Sequence, residues 1–309
     1  MTRMASIDIG TNTIRLLITD IDEANKPERI LTERSTTRLG EGFVKNGSIS
    51  SKAIKRSIRV LKGYLNLANK CNVKKTLAGA TSVVREAANR DEFQRKVYQN
   101  TGLEVQVLSE TEEARITLMG VLSVIDTVLD RALVIDIGGG STEFIITQGR
   151  NLIAAHSLDL GVVYLTERFI QSDPPSPLEL KNLIRFIDNR LSYAKKYTLE
   201  SQAGLSFSSL VGTAGTITTL AAINQGMSAY NPDKINRYIL TRESVEGIYD
   251  MLKVLTPAER RILPGVEKGR EDIIIAGTIV VLSIMGVFGF DEMIVSDYGL
   301  LEGLILVDI

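Results

Sequence analysis

Short apolar, β-branched runs at residues 5–9, 13–20 and 28–36 predict three consecutive strands at the start of the chain. The period then changes. Ser50–Asn69 carries Ile54, Ile58, Leu61 and Leu65 at helical spacing and predicts an amphipathic helix. Lys75–Ala80 reads as a strand, Asp91–Thr101 as a helix, Glu104–Leu108 as a strand and Glu110–Val124 as a helix. The pattern restarts with strands at 132–137, 142–147 and 152–158. Helices at about 161–171 and 177–197 follow, separated by Asp173-Pro174-Pro175-Ser176-Pro177. Then come strand 207–211, helices 215–224, 242–254 and 270–286, strand 292–296 and a last helix from Leu300. Three strands followed by alternating helices and strands, done twice, predict two α/β domains with a cleft between them. Their expected bounds are 1–124 and 125–298, with the helix at about 299–309 packing back on the first. Ile273–Phe290 contains no charge and approaches membrane-span length. Its three glycines, Thr278, Ser283 and the flanking Asp272 and Asp291 mark it instead as a buried helix followed by a loop.

Both halves open on the same words. Ala5-Ser6-Ile7-Asp8-Ile9-Gly10-Thr11-Asn12-Thr13 joins the first two strands, and Ile135-Asp136-Ile137-Gly138-Gly139-Gly140-Ser141-Thr142-Glu143 joins the pair that restarts the pattern. Consecutive glycines can take φ > 0 and let backbone N–H groups converge on an anion. A carboxylate beside such a turn is useful where a hard cation bridges it to phosphate. A third turn, Gly212-Thr213-Ala214-Gly215-Thr216, ends a strand and opens a helix, a natural place for an anion. One glycine-rich turn alone would be read as an ordinary hairpin; three, two of them paired with an aspartate, predict phosphate binding.

Composition is that of an ordinary globular protein, with 44% hydrophobic and 24% charged residues among 309. The net charge of −1 conceals an asymmetry. Residues 1–120 hold 20 Lys and Arg against 14 Asp and Glu, a net of +6, and the remainder has 16 against 23, a net of −7. A basic half facing an acidic half suits a polyanion with a metal on the acidic side. The basic positions Lys52, Lys55, Arg56, Arg59 and Lys62 either line the path of a long polyanion or form a solvated helix face. One cysteine, Cys71, fits a reducing cytoplasm, and one histidine, His156, excludes multi-histidine metal sites. The chain starts on its first strand, so no signal peptide is expected, and neither membrane nor nucleic acid is an expected partner.

The whole chain, in order, resembles the actin-like, ribonuclease-H-like superfamily that includes Hsp70 and sugar kinases. More narrowly it is similar to the exopolyphosphatase / guanosine pentaphosphate phosphohydrolase family. The residues that carry the likeness are Ala5–Thr13, Thr81–Ala87, Ser109–Arg115, Asp136–Glu143, Gly212–Thr216 and Ser296–Gly303. Gly-Gly-Gly-Ser-Thr-Glu is the most specific of them, since actin-like kinases do not normally place Ser-Thr-Glu there. The resemblance implies two ribonuclease-H-like α/β domains of the actin-like ATPase superfamily, with the active site in the interdomain cleft. It implies hydrolysis of the terminal phosphoanhydride of inorganic polyphosphate, with guanosine pentaphosphate as a second substrate, by a monomer or homodimer. Long members add a C-terminal helical domain of the HD type; a short form is expected here. An actin-like ATPase, kinase or sensor that grips a nucleotide is the alternative.

By the same resemblance Glu113 and Glu143 are the catalytic carboxylates. Local sequence is consistent with this. Ser109-x-x-Glu112 reads as a capping box that occupies Glu112 and leaves Glu113 to be explained. Glu143, in an apolar strand, needs a partner to offset its desolvation. Gly10, Thr11, Asn12 and Thr13 are expected to hold phosphate from the first turn, and Gly138, Gly139, Gly140, Ser141 and Thr142 from the second. Gly212, Thr213, Gly215 and Thr216 would hold more phosphate or a guanosine. Arg85 would fork onto a phosphate. Mg²⁺, or Mn²⁺, would be held by phosphate oxygens with help from Asp8, Asp136 or Glu143.

Overall fold

The structure, a computed structural model, describes residues 2–23, 27–125, 130–196 and 207–308. Residues up to Gly120, together with those from Gly299 onward, form one compact unit, and Val121–Tyr298 form a second. The first unit is built on a five-stranded sheet of order β3-β2-β1-β4-β5. Its strands are β1 (Thr2–Ile9), β2 (Thr13–Ile21), β3 (Pro27–Thr36), β4 (Lys75–Ala80) and β5 (Gln106–Val107). β1 to β3 form an antiparallel meander, and β4 and β5 extend the sheet in parallel. The second unit repeats the plan with β6 (Arg131–Ile137), β7 (Thr142–Gln148), β8 (Asn151–Leu158), β9 (Ser209–Thr213), β10 (Ile239–Thr241) and β11 (Glu292–Val295). Its order is β10-β11-β9-β6-β7-β8, the same arrangement with β10 added at the edge. Both are α/β units with the ribonuclease-H-like strand order that the resemblance implied.

Burial explains the two kinds of strand. β1 and β6 lie mid-sheet and are buried along most of their length, whereas the edge strand β3 is half-buried or exposed along its whole length. The strand expected at Glu104–Leu108 pairs only through Gln106 and Val107. The Gln94 side-chain amide donates to the Val105 carbonyl at 2.8 Å and takes that group out of the ladder. β10 has three residues, too few for a period to show in the sequence.

Helices start where their caps are. Ser50 accepts from Ala53 N–H at 3.2 Å ahead of the helix Ser51–Lys70, whose Ile54, Leu61, Tyr64 and Ala68 are buried. Ser176 and Glu179 form a capping box, with Pro177 at the first turn of the helix Pro177–Ala194. Residue 197, expected as its end, lies outside the described residues. The uncharged stretch forms the helix Ile274–Phe288, buried around Ala276, Val280, Val281 and Ile284 in the core of the second unit. No helix among the described residues is long and apolar enough to cross a membrane.

The last helix, Leu300–Leu306, belongs to the first unit, where Leu301 and Ile305 pack on Met4, Leu17 and Ile21. Ser6 donates to the Leu301 carbonyl at 2.6 Å. A Cβ on Gly303 would lie 1.9 Å from the Ile116 carbonyl oxygen, and one on Gly120 would lie 2.0 Å from that of Gly299. Only glycine lets this helix approach Glu110–Val124 so closely.

Candidate functional site

Both hairpins turn in the same way. Gly10 N–H donates to the Thr13 carbonyl and Gly138 N–H to the Ser141 carbonyl, each at 3.0 Å. The reason for glycine differs from the one predicted: Gly10, Gly138, Gly139 and Gly140 all lie outside the left-handed region. Close approach demands glycine beside the second turn, at Gly161. A Cβ on Gly161 would lie 2.1 Å from the Gly140 carbonyl carbon and 2.4 Å from the Gly139 oxygen. The helix Val162–Phe169 starts on this turn, with Val162 and Val163 N–H donating to the Gly138 and Gly139 carbonyls at 3.0 and 2.9 Å.

In the first unit, a loop holds the turn from outside. Gly40 N–H donates to the Thr11 carbonyl at 2.9 Å, and Thr37 and Arg38 N–H donate to the Asn12 carbonyl at 3.0 and 2.9 Å. Arg56, from the basic helix face, is tied to this loop through the Thr37 and Arg38 carbonyls and Glu41. Thr13 is buried at the head of β2. Asn12 is 8% exposed, and its Nδ2 has no hydrogen-bond partner. An unmatched buried donor costs about 1–3 kcal/mol, and an oxyanion is a group that would offset it. Asp8 is engaged by Arg15, whose Nη2 and Nε lie 2.8 and 2.9 Å from its Oδ2.

The same unit brings Arg85 and Glu113 together across 28 residues. Arg85 is carried by the helix Ser82–Glu86 and Glu113 by Glu110–Val124. Arg85 Nη1 donates to Glu113 Oε2 at 2.6 Å and to the Leu108 carbonyl at 3.1 Å. Glu113 is 7% exposed. Its neighbour closes the predicted cap: Glu112 Oε2 accepts from the Ser109 hydroxyl and amide at 2.7 and 2.9 Å. The hydroxyl, then the amide, hold the Glu112 carboxyl below its ordinary range.

In the second unit the register aligns a row of polar residues across four strands. Thr213, Asp136, Glu143 and Ser157 are successive neighbours on β9, β6, β7 and β8. Glu143 is 3% exposed, and its Oε1 accepts from Ser141 at 2.6 Å and from Ser157 at 3.0 Å. Thr142 lies on the other face of β7, where its hydroxyl donates to the Leu160 carbonyl at 3.0 Å. Asp136 and Glu143 stand directly opposite each other, an arrangement that is destabilising between like charges. An all-oxygen pair of this kind suits Mg²⁺, which takes one or two carboxylates and completes its shell with phosphate oxygens and water. Among the described residues no three acidic, histidine or cysteine side chains gather into a full metal cage.

The third turn is arranged differently from the expectation. Gly212 lies inside β9, where a Cβ would meet Met293 Sδ at 2.3 Å and Ile217 Cδ1 at 2.6 Å. Its demand for glycine comes from packing. Thr213 donates to the Tyr298 carbonyl at 2.9 Å, and Thr216 is buried against Gly277. Ala214 holds φ +71°, a left-handed conformation costing a non-glycine residue about 1–2 kcal/mol, and starts the helix Ala214–Asn224. The Arg270 guanidinium rests against Gly215, so close that a Cβ there would lie 1.8 Å from Nη2. Arg15, Ser157, Gly161 and Arg270 are thus parts of these sites that the sequence reading did not select. Only Gly161 carries a local signal, a glycine immediately before a helix.

A family model described as the Ppx/GppA phosphatase family matches residues 17–309. The chain is 34% identical to a bifunctional 3-dehydroquinate synthase/phosphatase of Fusobacterium nucleatum over 98% of its own length, spanning 46% of that relative. It is 31% identical to exopolyphosphatase 2 of Mycobacterium tuberculosis, covering 99% of this chain and 98% of the relative. Among solved structures, the Ppx/GppA family member of Aquifex aeolicus superposes with a TM-score of 0.82 at 34% identity, covering 99% of this chain and 97% of that one.

Proposed function

The chain belongs to the Ppx/GppA phosphatase family, and from that premise we propose that it hydrolyses the terminal phosphoanhydride bond of inorganic polyphosphate. The observation that carries the reading is the buried Arg85–Glu113 pair at 2.6 Å, in the same unit as the unmatched Asn12 amide. A guanidinium and an amide donor provide for phosphate oxygens, and a buried carboxylate provides for the proton of water. In the first unit Asn12 and Thr13 offer donors to phosphate oxygens, and in the second, where Gly138 N–H closes the turn and the Ser141 hydroxyl is taken by Glu143, the Gly139 and Gly140 amides do. Glu113 takes a proton from the attacking water as its oxygen bonds to the terminal phosphorus. The bridging P–O bond breaks, inorganic phosphate is released and the shortened chain departs with the bridging oxygen. Glu143, fixed by Ser141 and Ser157, is the second unit's carboxylate for orienting water or helping to hold a cation.

Mg²⁺, with Mn²⁺ able to replace it, would be held by Asp136 and Glu143, and when bound it neutralises phosphate charge. Asp8 is left out of that set because Arg15 engages it. Guanosine pentaphosphate presents the same linear phosphate end and is proposed as a second substrate, with Arg270 at the third turn as an additional cation. The single cysteine supports placing the activity in the cytoplasm.

Phosphate release from polyphosphate by the purified chain tests the proposal, measured beside guanosine pentaphosphate and ATP, with and without EDTA. Release from polyphosphate that EDTA abolishes is expected, with Asp136→Asn raising the Mg²⁺ needed for half-maximal rate. Tight ATP binding with no release from either substrate would instead support the nucleotide-gripping alternative.

A further inference from the structure

Away from the residues already assigned, the second unit carries an exposed cluster of two arginines on aromatic rings. The Arg168 guanidinium carbon lies 5.7 Å from the Tyr164 ring centroid, 5.3 Å from that of Phe169 and 4.9 Å from that of Phe186. Arg190 lies 5.6 Å from the same Phe186 centroid. Phe169 and Phe186 pack on each other at 4.9 Å, and Arg168 Nη1 donates to the Tyr164 hydroxyl. Two like charges therefore share one ring. Stacking engages the face of a guanidinium and leaves its edge N–H groups to bond an anion in the ring plane. Held by rings, the guanidinium also has less side-chain freedom to lose on binding.

The position of the cluster is set by the second turn. The helix Val162–Phe169 starts on Gly138 and Gly139 through the Val162 and Val163 amides. Arg168 is six residues further on, about 9 Å along a helix rising 1.5 Å per residue. A short, rigid helix thus connects the turn to the arginines. The cluster belongs to the part of the chain with a net charge of −7, so bulk positive charge does not account for an anion site there.

We propose that Arg168 and Arg190, stacked on Phe186, form a distal subsite for the polyphosphate chain, binding phosphates beyond those held at the Gly138–Gly140 turn. The inference rests on the polyphosphate reading of the site. A chain long enough to leave the turn meets two planar cations that suit phosphate oxygens, whereas tripolyphosphate ends before reaching them. Each exposed contact is modest, so the pair contributes about a tenfold change in apparent affinity.

The test compares wild type with Arg168→Gln, Arg190→Gln and the double variant, all checked for unchanged thermal unfolding, on long-chain polyphosphate and tripolyphosphate. In the double variant KM for the long chain should rise about tenfold and depend less steeply on salt, with kcat and the tripolyphosphate KM unchanged. Phe186→Leu, which keeps both charges and removes the shared ring, should lose part of the long-chain preference. A folded double variant with an unchanged long-chain KM, or with equal losses on both substrates, overturns the subsite. Calorimetric binding of long-chain polyphosphate separates this from the substrate reading. If wild type binds the polymer without hydrolysing it, the reading of the reaction fails; weaker binding by the double variant then still supports the subsite, and equal binding overturns it.

Discussion

The two hairpins have the same backbone and opposite chemistry. Each runs Ile-Asp-Ile-Gly into a turn closed by a 3.0 Å bond between its first amide and fourth carbonyl. In the first, the row across the sheet reads Gly79, Asp8, Arg15, Arg34; in the second it reads Thr213, Asp136, Glu143, Ser157. One register position decides the difference. Opposite Asp8 stands a guanidinium at 2.8 Å, which makes the aspartate half of an internal ion pair. Opposite Asp136 stands a second carboxylate, into which two serine hydroxyls donate. Paired charges of opposite sign stabilise a strand pair, and paired charges of like sign cost stability unless a cation joins them. The first hairpin thus pairs its aspartate internally, and the second sets two carboxylates side by side.

The largest expected effect of breaking this difference is on rate. Glu143→Gln should lower turnover by about 10²–10⁴-fold while polyphosphate binding survives, and Glu113→Gln should do the same. Steady-state kinetics with calorimetric binding checks both, and near-normal turnover in either variant would remove that carboxylate from the mechanism. In the first hairpin the effect should be on stability instead. Arg15→Gln strands a largely buried Asp8 and should cost about 3 kcal/mol in denaturant unfolding, most of it restored by Asp8→Asn in the double variant. A double-mutant cycle with no coupling would show that this pair is not structural.

Smaller changes sharpen the contrast. Ser157→Ala removes one hydroxyl from Glu143 and should cost about 1.5 kcal/mol, with a loss of turnover well below that of Glu143→Gln. Equal losses would mean that Ser157 itself takes part in the reaction. The smallest effect concerns the cap at the start of the helix that carries Glu113. Glu112 has a folded pKa depressed below its ordinary value of 4.5 by Ser109. A depressed carboxylate contributes stability above its unfolded pKa that is lost as pH falls through the folded one. The difference in hydrogen-exchange protection between wild type and Glu112→Ala at the start of Glu110–Val124 should therefore be full near neutrality and shrink below about pH 4.5. A pH-independent difference would refute the cap as its source.

Much of this was legible locally. The repeated Ile-Asp-Ile-Gly announced two matching hairpins, and Ser109-x-x-Glu112 announced a cap that occupies Glu112, because turns and caps are made by residues within a few positions of each other. The uncharged stretch at 273–290 announced a buried helix by its composition alone. Tertiary structure decided which partner each charged group meets. Arg15 reaches Asp8 and Ser157 reaches Glu143 through strand register; Arg85 reaches Glu113 across 28 residues, and Arg270 reaches Gly215 across 55. It also decided why glycine is required, at Gly161 against Gly139–Gly140 and at Gly303 against Ile116. Register and close backbone approach depend on how whole strands and helices pack, and a short window of sequence holds no record of which distant residue will fill the opposite position.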